Sequence, residues 1–342
     1  MTNNTPFVTV IIPVYNQQES FLRQCIESIL SQDYQNFELI ISDNYSNNGS
    51  WEVINSFTHP KIQVIRPPQH LSMVQHWSFA AFHAKGEYLS IMGSDDWAEP
   101  NWLSEIMGEL VKHSSVSFAF SNLFLEYHKE GTQKPARKLE ISTQFIQSIQ
   151  ATKDAALWTS HLFSWWIVGA VIKTKDYFDA GGISRYATTH NGDYPLCLGL
   201  LSKGDALYVS KLLVHYRIWG EEDGKADASR LIIICEDMLK IVSCIKVDYS
   251  VRLMCQKSGW PINKIRKRLL RMATIWVAFG MIKTPFALED AEKIENALAE
   301  LMDIRYLQSF RVKMYLNALK FYLSYLNFGF LKAFIKKLYF KK

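Results

Sequence analysis

The run Phe7-Val8-Thr9-Val10-Ile11-Ile12-Pro13-Val14 limits what this chain can fold into more than any other stretch. It is β-branched and apolar almost without a break, and it does not alternate. A strand with one wet face alternates apolar and polar side chains, whereas a continuous run suits a central parallel strand covered on both faces. Parallel neighbours need a long crossover between them. The residues that follow supply one: between Ser20 and Ser31, Phe21, Leu22, Cys25, Ile26, Ile29 and Leu30 fall on one helical face. Phe37 to Ser42 then reads as a second strand, giving a βαβ unit whose crossover should be right-handed. Pro13 has no N–H for a ladder, so pairing is expected to fail near the end of the first strand.

The alternation continues. Ser50 is placed to cap a helix over Trp51 to Phe57, Lys61 to Arg66 reads as a strand, and Ser72 to Lys85 as a helix. Tyr88 to Met92 is a short buried strand, Pro100 opens a helix that runs to Lys112, and Val116 to Phe120 is a fifth strand. Strand and helix in turn predict an α/β fold with a doubly wound, mostly parallel sheet. Residues 123–165 are less regular, Ile167 to Ile172 is strand-like, and Pro195 to Lys203 is helical. Beyond about residue 225 the pattern is all helix: Ser229 to Val247, Ile262 to Met281, Leu288 to Tyr306 and Phe310 to Tyr339. The expected division is an α/β domain over 1–225 and a helical region over 226–342.

Chemistry concentrates where strands end. The strand Tyr88 to Met92 runs into Gly93-Ser94-Asp95-Asp96. Open α/β sheets bind ligands beyond the carboxyl ends of their strands. Hard carboxylate oxygens there suit Mg²⁺ or Mn²⁺ shared with a substrate diphosphate. A plain acidic turn would look the same. The second strand leads into Asp43-Asn44-Tyr45-Ser46-Asn47-Asn48-Gly49-Ser50, crowded with turn formers. Asp43 fits both a polar turn and an acceptor for a base or ribose. His76 and His83 have no metal-ligand spacing with a nearby Cys or His and read as structural or surface residues.

Composition narrows the class. With 48% hydrophobic and 21% charged residues among 342, the chain reads as a folded globular protein. Five cysteines without a C-x-x-C point to a reduced, cytoplasmic compartment. Met1 to Pro6 is polar and uncharged, unlike a secretory leader, and no stretch offers the roughly 20 apolar residues of a spanning helix. A net charge of +5 does not by itself imply nucleic acid. Tyr15-Asn16-Gln17-Gln18 after the first strand is neither a G-x-G-x-x-G nor a Gly-rich basic loop, against a dehydrogenase or a sugar-phosphate nucleotidylyltransferase.

Together these segments resemble family-2 glycosyltransferases, enzymes of the nucleotide-sugar-binding GT-A fold. Val10-Ile11-Ile12-Pro13-Val14-Tyr15-Asn16 is similar to their opening strand, and Asp43 to Ser50 to their Asp-Asp-x-Ser-x-Asp-Gly-Ser loop. Ala84 to Tyr88 with Gly93 to Asp96 resembles the approach to, and the body of, their Asp-x-Asp motif. The agreement in order and spacing covers about the first 120 residues and is more specific than any one motif. The resemblance implies that Asp43 holds the nucleobase, with Pro13, Tyr15 and Asn16 lining that pocket and Ser94 and Asp95 contacting the donor. It implies a metal at Asp95, with Asp96 beside it. Gly93 stands where the family has its first acid, and Asn44 where the base-binding loop has its second.

Further on, Tyr177 to Ile183 looks like the Gly-Gly-Phe turn that the family places before its catalytic acid. In His190-Asn191-Gly192-Asp193, Asp193 matches the family's catalytic base and Gly192 replaces a Glu. Asp193 also fits a plain helix cap, and His190 is the nearby competitor for the base. Arg217, in a segment like the family's Tyr-Arg-x-His, is expected to reach a phosphate, and Trp219 stands where a His is common. Trp158, Trp165 and Trp166 cluster around His161 and fit either sugar stacking or a core. No Gln-x-x-Arg-Trp follows Asp193, so the resemblance implies transfer of single sugars rather than processive synthesis.

The last helical stretch interleaves Lys313, Lys320, Lys332, Lys336 and Lys337 with Tyr315, Phe321, Tyr322, Tyr325, Phe328, Phe330 and Phe334, without an acid after Tyr306. Such a face suits the inner surface of the cell membrane, or the protein's own core, or a twin subunit. The expectation is an inverting transferase using a nucleotide-sugar donor, UDP-linked by resemblance. Its acceptor would be a glycan or polyprenyl-linked saccharide in bacterial surface polysaccharide assembly. The rival is a membrane-attached glycan-binding or scaffold protein without catalysis, suggested by Gly93 and Gly192 at acid positions.

Overall fold

The computed structural model describes residues 5–148, 150, 167–188, 192–218, 228–259 and 261–263. The order of elements is β1 (Val8–Val14), α1 (Glu19–Leu30), β2 (Phe37–Asp43), α2 (Ser50–Asn55), β3 (Ile62–Ile65), α3 (Met73–Ala81), β4 (Tyr88–Ile91), β5 (Trp97–Ala98) and α4 (Trp102–Leu110). There follow β6 (Val116–Tyr127), β7 (Thr132–Pro135), β8 (Gln144–Ile146), β9 (Val171–Lys173), α5 (Thr174–Asp179), α6 (Asp193–Leu201), β10 (Asp205–Ile218), α7 (Ala228–Val247) and α8 (Tyr249–Ser258).

All the described strands share one sheet in the order β3-β2-β1-β4-β9-β6-β10-β5, with β7 on β6 and β8 on β10. The long pairings, β1 with β2 and β4, β2 with β3, and β6 with β10, are parallel. The short strands β5, β7, β8 and β9 pair antiparallel. This is the α/β, mostly parallel sheet expected. All seven residues of β1 are buried, as the unbroken apolar run requires. Its alternate side chains feed two cores. Val8, Val10, Ile12 and Val14 pack with Leu22, Ile26 and Ile29 of α1 and Leu103 and Ile106 of α4. Ile11 points the other way, into a cluster with Val74 of α3 and Leu196 and Leu200 of α6. Each such fully buried aliphatic side chain contributes about 1.5–3 kcal/mol.

Pro13 acts on one side of its strand. Against β2 the register runs on through Pro13↔Ser42 to Val14↔Asp43. Against β4 it stops at Ile11↔Ile91, where Met92 donates its N–H to the Ile11 carbonyl. The N–H that Pro13 lacks faces β4, so these two strands part there. The chain continues from β1 to β2 on one side and β4 lies on the other, so this is a topological switch point, where open sheets bind ligands.

Several local expectations change. Gly49, with φ 91°, takes the N-cap of α2, and Ser50 is already helical. Pro100 precedes α4, because Trp97–Ala98 first pairs with His215–Val214. The helix expected to reach Lys85 ends at Ala81, and the strand expected over 167–172 is Val171–Lys173. The segment after Phe120 is more regular than its sequence suggests: β6 continues to Tyr127 and turns back as β7. The described chain divides into two compact units, and Val247–Ile262, including α8, belongs to the first with residues 1–220. The second is described through the long helix α7. The helices expected over 288–339, with most of that over 262–281, lie outside the described residues, as do Trp158, His161, Trp165, Trp166, His190 and Trp219.

Candidate functional site

The loops after β1, β2, β3 and β4 meet at the carboxyl edge of the sheet, and side-chain hydrogen bonds tie them together. After β1, Asn16 has φ 49°, a left-handed conformation that Asn tolerates better than most residues. The turn lets its N–H reach Ser46 Oγ at 2.9 Å and its Oδ1 accept from the Asn47 N–H at 2.8 Å. Gln17 donates from its backbone to Ser50 Oγ at 3.0 Å, and its side-chain Nε2 reaches Ser94 Oγ at 3.0 Å. The first, second and fourth strand loops are therefore one bonded unit. Tyr15 stands about half exposed, its ring 4.9 Å from that of His70.

Asp43 is fully buried at the end of β2. One of its oxygens accepts from both Arg66 Nη2 at 2.6 Å and Nε at 3.0 Å, and both accept from the Ser46 N–H. The Arg66 guanidinium lies 3.7 Å over the Trp51 ring and 5.0 Å from that of Tyr45. Arg66 is the residue that sequence reasoning passed over. The signal available was a single Arg closing a strand before Pro67-Pro68. Asp43 thus already carries an ion pair, and Arg66, still 30% exposed, presents a planar cation beside Tyr45. Asn44, where the resemblance has an acid, is also buried. Its amide donates to the Leu71 carbonyl at 2.8 Å and accepts the Leu71 N–H at 2.9 Å. A carboxylate could accept but not donate, so the Asn fixes the loop that carries His70. His76 is structural, as read: it is buried, with Nε2 2.8 Å from Ser42 Oγ, and burial brings it down to about 4 against the opposing pull of Asp43.

The acidic turn is built around a missing side chain. A β-carbon on Gly93 would stand 2.5 Å from Asp96 Oδ2 and 3.1 Å from Asp95 Oδ1. Both carboxylates converge on the space that an acid at residue 93 would need. Asp96 is buried, and its Oδ1 accepts the Arg217 N–H at 2.9 Å. Burial, and then the charge of Asp95, push the Asp96 carboxyl well above its usual range, with Arg217 opposing. Among the described residues no three His, Cys, Asp or Glu side chains gather as a metal site. Two converging carboxylates do fit Mg²⁺ or Mn²⁺, which keep waters and take the rest of their shell from substrate phosphates.

Arg217 does not stand open as a phosphate arm. It is 4% exposed beneath the acidic turn, where Nη1 donates to the Asp95 carbonyl and Nη2 to Gln24 Oε1 at 2.8 Å. Glu126 lies 3.5 Å away and the ring of Phe21 3.9 Å. These contacts make it the support of Asp95 and Asp96.

Asp193 is carried by a different element. It is the first residue of α6, after Gly192 at the N-cap, so it is not itself the cap. At the other end of α6, Gly204 donates to Leu200, and Asp205 donates to Ser115 just before β6. The helix packs on β6 and β10 and must run back along them, which directs Asp193 toward their carboxyl ends, the edge that also bears Asp43 and Asp95. Gly192, where the resemblance has a Glu, lies against the Ile183 carbonyl, and a β-carbon there would collide with it. Gly192 thus has a packing reason in the backbone, whereas at Gly93 the neighbour is the Asp96 carboxylate, which would have to shift to admit an acid. Burial raises the Asp193 carboxyl above its usual range, against hydrogen bonds from the Tyr194 N–H and its own.

In sequence and in fold the chain is similar to known glycosyltransferases. Residues 9–160 match the model of Glycosyl transferase family 2. The chain is 27% identical over 222 residues to the putative teichuronic acid biosynthesis glycosyltransferase TuaG of Bacillus subtilis, covering 64% of this chain and 81% of TuaG. It is 31% identical over 120 residues to the UDP-Glc:alpha-D-GlcNAc-diphosphoundecaprenol beta-1,3-glucosyltransferase WfaP of Escherichia coli, covering 35% of this chain and 47% of WfaP. The matched stretch spans 30%, 39% and 50% of the length of the first three curated relatives. In fold it is similar to S. aureus TarS 1-349 in complex with UDP-GlcNAc, with a TM-score of 0.63 at 14% identity, covering 93% of this chain and 91% of that one. An ordered set of strand-end loops, the family model over the same residues and the shared fold converge: residues 9–160 match glycosyl transferase family 2, on a fold similar to that of S. aureus TarS.

Proposed function

We propose that this protein is an inverting glycosyltransferase that moves a single sugar from a nucleotide-sugar, of the UDP class, to a hydroxyl of a glycan or polyprenyl-linked saccharide. The observation that carries this is the bonded rim itself. Gln17 ties the acidic turn at Ser94 to the loop that Asp43 anchors, across the crevice where β1 and β4 part. That rim offers a base pocket and a diphosphate site a few residues apart. The TarS complex and the name of WfaP, which specifies a UDP-sugar and a diphosphoundecaprenol acceptor, support the donor and acceptor classes.

In this mechanism Pro13, Tyr15, Asn16 and the Asp43–Arg66 pair bound the nucleotide pocket, and Ser94 and Asp95 face the diphosphate. Asp95 and Asp96 would hold Mg²⁺ or Mn²⁺, whose positive charge would stabilise the diphosphate as it leaves. Asp193 accepts the proton of the acceptor hydroxyl as its oxygen attacks the anomeric carbon. The bond from that carbon to the diphosphate oxygen breaks on the opposite face, its electron pair leaves with the nucleoside diphosphate, and the centre inverts. The basic aromatic stretch after Tyr306 would rest on the inner face of the cell membrane, where lipid-linked acceptors are held. Among the described residues no helix is long and apolar enough to cross a membrane.

The test is a thermal-shift and hydrolysis screen of UDP-glucose and UDP-N-acetylglucosamine with and without Mn²⁺. A ligand of the folded state raises its melting point, so Mn²⁺-dependent stabilisation and release of UDP are expected. No shift and no hydrolysis with any nucleotide-sugar would favour the non-catalytic scaffold. Removing the chain after residue 305 should release the protein from anionic vesicles while UDP binding persists, and retained vesicle binding would refute the role given to the tail.

A further inference from the structure

We propose that Arg185 and Asp248 form a clamp that positions Asp193, so that the segment Val247–Ile262, which returns to the first compact unit, is part of the catalytic apparatus. The inference rests on the reading of Asp193 as the base. Asp193 opens α6, and both ends of that helix lean on the loop formed by residues 180–188. At the amino end Gly192 lies against the Ile183 carbonyl, with no room for a side chain. Nearer the carboxyl end, a β-carbon on Gly199 would stand 2.9 Å from Arg185 Nη1 and 2.9 Å from the Ala180 carbonyl. Arg185 therefore crosses α6 where the helix has no side chain, and its Nη1 donates to that carbonyl.

The loop is in turn held by the segment Asp248 to Ser258. Arg185 Nη2 meets Asp248 Oδ2 at 2.5 Å and Ser250 Oγ at 2.6 Å, and Tyr186 donates its hydroxyl to the same Asp248 oxygen at 2.8 Å. The ion pair is nearly buried, with side chains 12% and 11% exposed. The second Asp248 oxygen caps α8 by accepting the Val251 N–H at 3.1 Å. Burial alone would raise the Asp248 carboxyl, but Ser250, Tyr186, Val251 and Arg185 together hold it below the usual range. Met254 of α8 adds an apolar tie, packed in one cluster with Leu196, Cys197 and Leu200 of α6. A side chain two links from the helix thus sets where that helix begins. A buried ion pair is a poor source of net stability; here it ties the loop ahead of α6 to the start of α8, a link that suits positioning.

The test compares Arg185→Lys, Asp248→Asn, Tyr186→Phe and Asp193→Asn in the full chain. UDP with Mn²⁺ probes the donor site, and Mn²⁺-dependent hydrolysis of UDP-glucose and UDP-N-acetylglucosamine is measured per UDP-binding molecule. A displacement of about 1 Å at a reacting group can cost on the order of 10²-fold, and a loss of that size in kcat is expected for Arg185→Lys and Asp248→Asn, with UDP affinity and KM unchanged. Tyr186→Phe removes one hydrogen bond and leaves the ion pair, so it should give a smaller loss even if the stronger variants fold poorly. A purely structural role would lower the UDP-binding fraction and leave turnover per binding molecule intact. That result, with Asp193→Asn inactive, overturns the clamp and spares the base. Full turnover in Asp193→Asn overturns both.

Discussion

The carboxylate of Asp96 fills the space that a side chain on Gly93 would require, its Oδ2 2.5 Å from where the β-carbon would be. An acid at 93 and the present Asp96 conformer cannot coexist, so one of the two side chains must shift. Gly93→Asp alone is expected to weaken Mn²⁺-dependent UDP binding, because it displaces Asp96 rather than adding a ligand. Forcing atoms into a packed site costs about 1–3 kcal/mol, which a thermal melt would show. Combining Gly93→Asp with Asp96→Gly should restore more Mn²⁺-dependent binding than either change alone. Strictly additive losses in titrations with Mn²⁺ would contradict the exchange.

Asn44 is expected to resist replacement by the acid of the related loop. Asn44→Asp removes the donor to the Leu71 carbonyl and sets a carboxylate against it in a buried place. Leaving a buried polar group unsatisfied costs about 1–3 kcal/mol. Chemical denaturation should show that loss, reduced at low pH where the acid is protonated and can donate again.

The Asp43–Arg66 pair should behave as a unit. Arg66→Ala leaves a fully buried carboxylate without its cation, and breaking such a pair costs about 3–5 kcal/mol. Asp43→Asn should cost less, because Arg66 is partly exposed and can rehydrate. In the double variant the losses should be clearly less than additive. UDP binding is expected to fall in every variant, as isothermal titration would report.

Arg217→Lys keeps a charge but loses the fork that reaches the Asp95 carbonyl and Gln24 together. Mn²⁺-dependent UDP affinity should drop roughly tenfold, equivalent to about 1.4 kcal/mol. An unchanged affinity would show that the acidic turn holds its shape without the support beneath it.

Asp193→Asn should lower transfer by about 10²–10⁴-fold, the range of general-base catalysis, with UDP binding intact. The pH dependence carries a sign. In the proposed mechanism Asp193 works as the carboxylate, and burial raises its carboxyl above the usual range, so it keeps its proton to higher pH than an exposed Asp. The acid limb of kcat/KM should therefore lie above the ordinary Asp range, near 3.9 for a free side chain. A limb at or below that value would assign it to another group.

What the sequence by itself determined was periodicity and order. The unbroken β-branched run of β1, the amphipathic face of α1 and the acidic turn after β4 are local patterns, and local sterics and burial dictate them. Resemblance added Asp43, Asp95 and Asp193 as the residues to watch. Tertiary structure decided which partners those residues meet, because partners come from distant parts of the chain. Arg66 reaches Asp43 across the loop ends of two strands, Arg217 lies 122 residues from the carbonyl that it supports, and Asp248 holds a loop ahead of Asp193. No periodic signal marks such contacts, since each depends on how the layers stack rather than on the spacing of neighbours. The same holds for the glycines at 93 and 192. As letters they stand where acids were expected, and three-dimensional packing alone shows that a carboxylate and a carbonyl already occupy that room.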